Sequence, residues 1–267
     1  MITSWRRGSI DYGVKRIMGI INMTPDSFSD KVRYSGKSAV ERIFRMADEG
    51  ADIIDVGGES TRPGSTPVTP AEETSRITDV IRIAAPSLSI PISVDTMHPE
   101  TALAALDAGA EMINDVSGLR NENMMRIVAS AGVPVVIMHM HGMPRTMQEN
   151  TMQGDAVEQI SDFFDSVSQA AESAGIKRDK IILDPGIGFG KTFPQNVEII
   201  QRLGTLRKGY PLLLGTSMKS FLAYAYPNIP TEEAGLLSAA ECARNGADIL
   251  RVHDVEGTVR MIRVQRS

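Results

Sequence analysis

Cysteine is almost missing from this chain of 267 residues: Cys242 stands alone, which excludes an intrachain disulfide and a metal centre built from several thiolates. It falls in a predicted helix, Ala239-Ala240-Glu241-Cys242-Ala243, and reads as a small buried filler rather than a reactive thiol. Histidine is scarce, with four residues. His139-Met140-His141 could set two imidazoles on one strand face, but a zinc hydrolase would need more, and only His98 and His253 remain. No basic block occurs and the net charge is −5, which argues against a general nucleic-acid binder while leaving room for a local basic pocket. No apolar run approaches the roughly 18 residues of a membrane span. The N-terminal stretch, MITSWRRGSIDYG, lacks the apolar centre of a secretion signal, so a cytoplasmic protein is expected.

What is present is one pattern repeated. An apolar run of strand length stops at polar residues and glycine, and a helical stretch follows. Arg16 to Met23 runs into Thr24-Pro25-Asp26-Ser27-Phe28-Ser29-Asp30, and Asp52 to Val56 into Gly57-Gly58-Glu59-Ser60-Thr61-Arg62-Pro63-Gly64. Ile90 to Val94 is closed by Asp95-Thr96, Glu111 to Ile113 by Asn114-Asp115, and Val133 to Met138 by His139. Ile181 to Leu183 meets Asp184-Pro185-Gly186-Ile187-Gly188-Phe189-Gly190-Lys191. Tyr210 to Leu214 ends at Gly215-Thr216-Ser217-Met218-Lys219-Ser220, and Asp248 to Val252 at His253-Asp254. Helix boundaries between them are marked by Thr69-Pro70 at one start and by Gly50, Gly109, Gly132 and Gly175 at stops.

Eight strands alternating with about eight helices predict a single-domain α/β protein, a (β/α)8 TIM barrel over residues 1–267. A doubly wound open sheet is the alternative. In a barrel every polar strand end falls on the C-terminal face, so the loops would deliver Asn22, Asp26, Asp30, Thr61, Arg62, Asp95, Asn114, Met138, His139, Asp184, Lys219, Arg251 and His253 to one cavity. Asp95, Asn114 and Asp184 suit a planar, nitrogen-rich heterocycle whose donors and acceptors they can satisfy in pairs. Arg62, Lys219, Arg251 and His253 form a cationic group suited to an anionic substrate part, since barrel phosphate sites commonly use the last two loops.

Two nucleotide motifs fail. Gly186-Ile187-Gly188-Phe189-Gly190 is not G-x-G-x-x-G, and Pro185 stands where a Walker loop ahead of Gly190-Lys191-Thr192 needs glycine. No serine or cysteine triad suggests itself, and Ser217 has no evident partner base.

Taken together, these motifs resemble the dihydropteroate synthases of the pterin-binding barrel family. The similarity runs in order from Met18-Gly19-Ile20-Ile21-Asn22-Met23-Thr24-Pro25-Asp26 through the loop Asp55 to Gly64, then Ser93-Val94-Asp95-Thr96, Ile113-Asn114-Asp115, Pro144-Arg145-Thr146-Met147-Gln148, Asp184 to Lys191 and Arg251-Val252-His253-Asp254. It implies an enzyme, a transferase that condenses para-aminobenzoate with hydroxymethyl-dihydropterin pyrophosphate and releases pyrophosphate in folate synthesis. Asp95, Asn114, Met138, Asp184, Lys219 and Arg251 would hold the pterin. Asn22 would ligate Mg2+ on the pyrophosphate, which Arg62, Arg251 and His253 would also bind. Phe28, Thr61, Arg62, Pro63, Phe189 and Ser220 would shape the pocket for aminobenzoate, the substrate that sulfonamides imitate. Asp30, Lys219 and Arg62 are the expected catalytic residues of a dissociative displacement. The resemblance also implies a homodimer, while the charge and the short apolar runs predict no nucleic-acid or membrane partner.

Two departures stand out. Ser217-Met218-Lys219 has methionine where the family usually has arginine, and Lys31-Val32-Arg33 follows Asp30 where glycines are common. A pterin-dependent methyltransferase on the same barrel is one alternative, disfavoured by Thr61-Arg62-Pro63 and the Arg251–His253 pair. A catalytically weak pterin binder is the other.

Overall fold

A computed structural model describes residues 1–24, 36–61 and 65–264. The chain opens with an antiparallel hairpin, β1 (Ile2–Trp5) and β2 (Gly8–Asp11), which the hydrophobic pattern does not announce. Then come β3 (Arg16–Asn22), α1 (Gly36–Asp48), β4 (Ile53–Gly57), α2 (Pro70–Ala84), β5 (Ile92–Asp95), α3 (Pro99–Ala108), β6 (Met112–Asp115), α4 (Glu122–Ala131) and β7 (Val135–Met138). They are followed by α5 (Ala156–Ser173), β8 (Ile181–Asp184), α6 (Phe193–Gln201), β9 (Leu213–Leu214), a short α7 (Leu222–Ala225), α8 (Thr231–Asn245), β10 (Ile249–Val252) and α9 (Val255–Val264).

The strands after the hairpin form one parallel sheet in the order β8-β7-β6-β5-β4-β3-β10-β9. Its two ends meet: Leu183 bridges Leu212 in parallel, and the Leu183 N–H donates to the Pro211 carbonyl at 2.9 Å. That contact makes the sheet a barrel and excludes the open doubly wound alternative.

Local chemistry sets the boundaries. Thr69 caps α2 through the Glu72 N–H, and Asp155 caps α5 through Val157 and Glu158. Thr192 and Gln195 make a reciprocal capping box on α6, while Gly132 closes α4 at φ 64°. Three strands start later than their apolar runs. Pro91, Pro134 and Pro211 accept bonds from Ile54, Ile113 and Leu183 but have no N–H to return, so ladder pairing begins beyond them.

Side chains two apart share a strand face, and that period divides the barrel into layers. Met18, Ile53, Met112, Val136, Ile182, Leu213 and Ile249 form one buried cluster with Ile10 and Tyr12 of the hairpin region, and Trp5 packs against it. The hairpin thus closes the N-terminal end, tied further by the Thr3 hydroxyl to Asp179 O and by Lys180 Nζ to Ser4 O. Residues of alternate parity, including Ile17, Ile21, Ile54, Val56, Ile113, Val135, Ile137 and Leu183, join the larger cluster with the helices. Among the described residues, no helix is long and apolar enough to cross a membrane.

Candidate active site

Two residues beyond that apolar layer, the same strands become polar. Asp55 follows Ile53, Asn114 follows Met112, Asp184 follows Ile182 and Arg251 follows Ile249; Met138 follows Val136. The ladder register sets Asp95 beside Asn114 and Met138 beside Asp184. The polar layer therefore lies immediately above a greasy floor, where water is scarce and hydrogen bonds are strong.

The centre of that layer is Asp55, fully buried on β4. Its Oδ2 accepts from Asn114 Nδ2 at 3.0 Å and from Arg251 Nε at 2.6 Å. The guanidinium reaches on to Asp95 Oδ2, also at 2.6 Å. Burial opposes the charge on Arg251, but Asp55, Asp95 and Asp184 outweigh it and hold its pKa above the ordinary arginine value. Burial pushes the Asp95 carboxyl up to about 7 against the pull of Arg251, with Asp55, Glu73 and Asp115 adding to the rise.

The opposite wall is the loop after β8. Asp184 Oδ1 accepts from the Gly186 N–H at 2.7 Å, and burial raises its pKa while Lys219 and Arg251 restrain the rise. Lys219 gives a hydrogen bond to Ile187 O, and its Nζ stands 4.8 Å from the centre of the Phe189 ring, a cation–π contact. Burial lowers the Lys219 ammonium to about 8 despite Asp184, with Arg251 adding to the fall. Met138, Met140, Met147 and Val116 form a small apolar cluster against which Phe189 and Met97 pack, an apolar flank for a flat ring.

This much gathers acids, an amide and two cations at the strand ends, flanked by a cluster of soft apolar groups. The family profile described as pterin binding enzyme matches residues 18–253. The chain belongs to the pterin-binding enzyme family. A dihydropteroate synthase of Synechocystis sp. is 41% identical over 261 residues, 95% of this chain and 90% of that protein. The crystal structure of a Yersinia pestis dihydropteroate synthase in complex with a sulfonamide drug superposes with a TM-score of 0.94 at 36% identity, covering 100% of this chain and 98% of that one. A Xanthomonas albilineans dihydropteroate synthase in complex with 7,8-dihydropteroate gives 0.86 at 37% identity, with 97% and 95% covered.

In this pterin-binding enzyme the structure brings Asp95, Asn114, Met138, Asp184, Lys219 and Arg251 together as the pattern predicts. Asn22 ends β3, half-buried beside Gly57, and Thr61 is half-buried beyond β4. His253 follows β10, its Nδ1 3.0 Å from Ser217 Oγ, so Ser217 does have an imidazole partner, contrary to expectation from the sequence. Ser220 is exposed. Phe28, Asp30, Arg62 and Pro63 lie outside the described residues.

His139 lies after β7. It is buried edge-on against Phe163 at 5.1 Å, and burial, with Lys191 and Arg120 nearby, depresses it to about 2, which keeps it neutral. After β4, Glu59 meets His98 Nε2 at 3.1 Å and the Val68 N–H at 3.4 Å, while Thr96 donates to Glu73 at 2.7 Å. Glu59, Glu73 and His98 bring ligand-type atoms within 4.8 Å of one another, and these hydrogen bonds brace the foot of the loop. Two important residues escaped sequence reasoning, Asp55 and Lys191. The signal for Asp55 was a carboxylate inside an apolar strand with nothing local to cap. For Lys191 it was a lysine closing a glycine loop that fits no nucleotide motif.

Proposed function

We propose that the protein joins para-aminobenzoate to hydroxymethyl-dihydropterin pyrophosphate, forming dihydropteroate and pyrophosphate. The observation that carries this reading is the polar layer itself, Asp55, Asp95, Asn114 and Arg251 knitted together and facing Asp184 and Lys219. A fused heterocycle with amide and amidine edges would exchange hydrogen bonds with Asp95, Asn114 and Asp184, and analogues lacking those groups would leave buried acceptors unpaired. Phe189 and Met138 would cover its faces, and Arg251 would lie beside it.

Displacement of pyrophosphate demands stabilisation of the leaving group more than a strong base, because an arylamine is already unprotonated near neutrality. Arg62, Arg251 and His253 would bind the departing anion, and Lys219 would add positive charge from the facing wall. Asn22 suits Mg2+: an amide carbonyl is a hard oxygen donor, and one protein ligand leaves coordination sites for phosphate oxygens and water. When bound, the ion would neutralise charge on the pyrophosphate. Phe28, Thr61, Arg62, Pro63, Phe189 and Ser220 would shape the aminobenzoate subsite, and Asp30 would meet positive charge developing on the pterin methylene or the incoming amine. This reading includes a homodimer in the cytoplasm, which sedimentation and fractionation would check.

The deciding experiment supplies both substrates with Mg2+ and follows both products. One-for-one appearance of pyrophosphate and dihydropteroate, abolished by chelation and cut about a hundredfold by Lys219→Met, is the expected result. Pterin binding without either product would refute the synthase reading and point to the altered residues Met218 and Lys31 to Arg33.

A further inference from the structure

Lys191 has no part in the chemistry above, yet it is among the most deeply buried side chains, 1% exposed. Its Nζ donates to three main-chain carbonyls: Gly186 at 2.8 Å, Phe189 at 3.1 Å and His139 at 3.3 Å. Three acceptors match the three hydrogens of an ammonium. The loop is wound tightly enough to need this. Gly186, Gly188 and Gly190 sit at φ 67°, 83° and 70°, and an added Cβ would lie 2.0 Å from His139 O at Gly186 and 2.2 Å from His141 O at Gly190. The winding turns carbonyl oxygens inward, where they repel one another without a cation among them.

That loop is also one wall of the site. It fixes Asp184 through the Gly186 N–H, carries Phe189, and receives Lys219 at Ile187 O. We propose that Lys191 is a positioning residue of the pterin subsite: its ammonium is the internal cation around which residues 185–190 are wound, and its charge favours the Asp184 carboxylate that the same loop holds through Gly186. It touches no substrate and acts through the loop and the carboxylate.

Among the described residues, three cations act on Asp184. Lys219 comes from the loop after β9, Arg251 from β10 and Lys191 from the loop itself; all three favour the carboxylate. His139, after β7, is neutral and binds Asp184 through the main chain, N–H to carbonyl at 2.8 Å. Cys242 of α8 is a thiol that burial pushes up to about 12, so it adds no charge near neutrality. Arg251 is already engaged by Asp55 and Asp95, and Lys219 by Ile187 O and Phe189. Lys191 adds to them from within the loop, held by the three carbonyls; burial lowers its ammonium well below the ordinary lysine value, and Asp184 counters that fall.

This inference rests on the pterin reading, so its test has one arm that needs no substrate. Lys191→Gln keeps amide hydrogens for two of the carbonyls but removes the charge; Lys191→Met removes both. In ligand-free protein labelled with 13C at aspartate carboxyls, Asp184 is expected to titrate at higher pH in Lys191→Gln than in the unmodified protein. Calorimetry with hydroxymethyl-dihydropterin pyrophosphate is expected to show binding weakened about 10- to 100-fold at pH 6.5, the scale on which supporting bonds tune other sites. Measured against the unmodified protein at the same pH, the binding deficit of the variant should shrink as pH rises from 6.5 to about 7.5, below the Lys219 titration, while KM for para-aminobenzoate moves little. An unchanged Asp184 titration overturns the proposal, as does weakened binding with no new pH dependence, which would make Lys191 a structural brace only. Failure of the unmodified protein to bind the pterin would sink the proposed function, and the carboxyl titration alone would then decide the role of Lys191.

Discussion

Asp55→Asn is the substitution that most directly tests how the site is built. The side chain is wholly buried, and one oxygen accepts from both Asn114 and Arg251. Removing one member of a buried ion pair costs about 3–5 kcal/mol, because the other charge is left without compensation. Here Arg251 keeps Asp95 at 2.6 Å, and asparagine retains an acceptor oxygen, so the cost falls below that range, to about 2–3 kcal/mol, close to one charge-assisted hydrogen bond. Arg251→Met is worse, since it strands Asp55 and Asp95 together; about 3–5 kcal/mol is expected. Urea unfolding with a common m-value would measure both. The double variant carries the refutation. If the residues form one network, its destabilisation falls short of the sum by about 1 kcal/mol or more, whereas additivity within about 0.5 kcal/mol would mean that the contacts are independent and the network reasoning is wrong.

Other expectations are simpler. With Asp95 at about 7 and Lys219 at about 8, kcat/KM for the pterin substrate should rise through the first value and fall beyond the second, a narrow bell in a pH–rate profile. The same shift has a sign for stability: between about 4 and 7 the folded protein holds an Asp95 proton that the unfolded chain has lost, so this contribution falls as pH rises, and Asp95→Asn should flatten that slope in denaturation curves. Gly186→Ala forces a Cβ to 2.0 Å from His139 O at φ 67°, and should weaken pterin binding at least tenfold by calorimetry with loss of thermal stability. Ile10→Ala removes a buried side chain from the hairpin's seal, costing about 2–4 kcal/mol in urea unfolding while leaving both KM values unchanged; a shifted pterin KM would mean that the two ends of the barrel are coupled.

Sequence alone determined most of the scaffold. Strand, glycine and helix succeed one another often enough that parallel pairing follows, because a helix between two strands returns the chain to the same end. Asp95, Asn114, Asp184, Lys219 and Arg251 were identifiable because strand-end residues share one face in a barrel wherever the ring places them. Helix ends were identifiable because Thr69, Asp155 and Gly132 act through bonds a few residues long. The hairpin was not, since Ile2 to Trp5 gains its strand character from a barrel mouth it closes rather than from its own pattern. Nor was barrel closure, which depends on Leu183 meeting Pro211 and Leu212. Tertiary structure also decided who pairs with whom. Asp55 and Arg251 are 196 residues apart, and Lys191 and His139 are 52 apart. A charge buried in the chain order of an apolar strand or a glycine loop shows that something must compensate it; only the folded barrel, by bringing distant strand ends within hydrogen-bond reach, says what does.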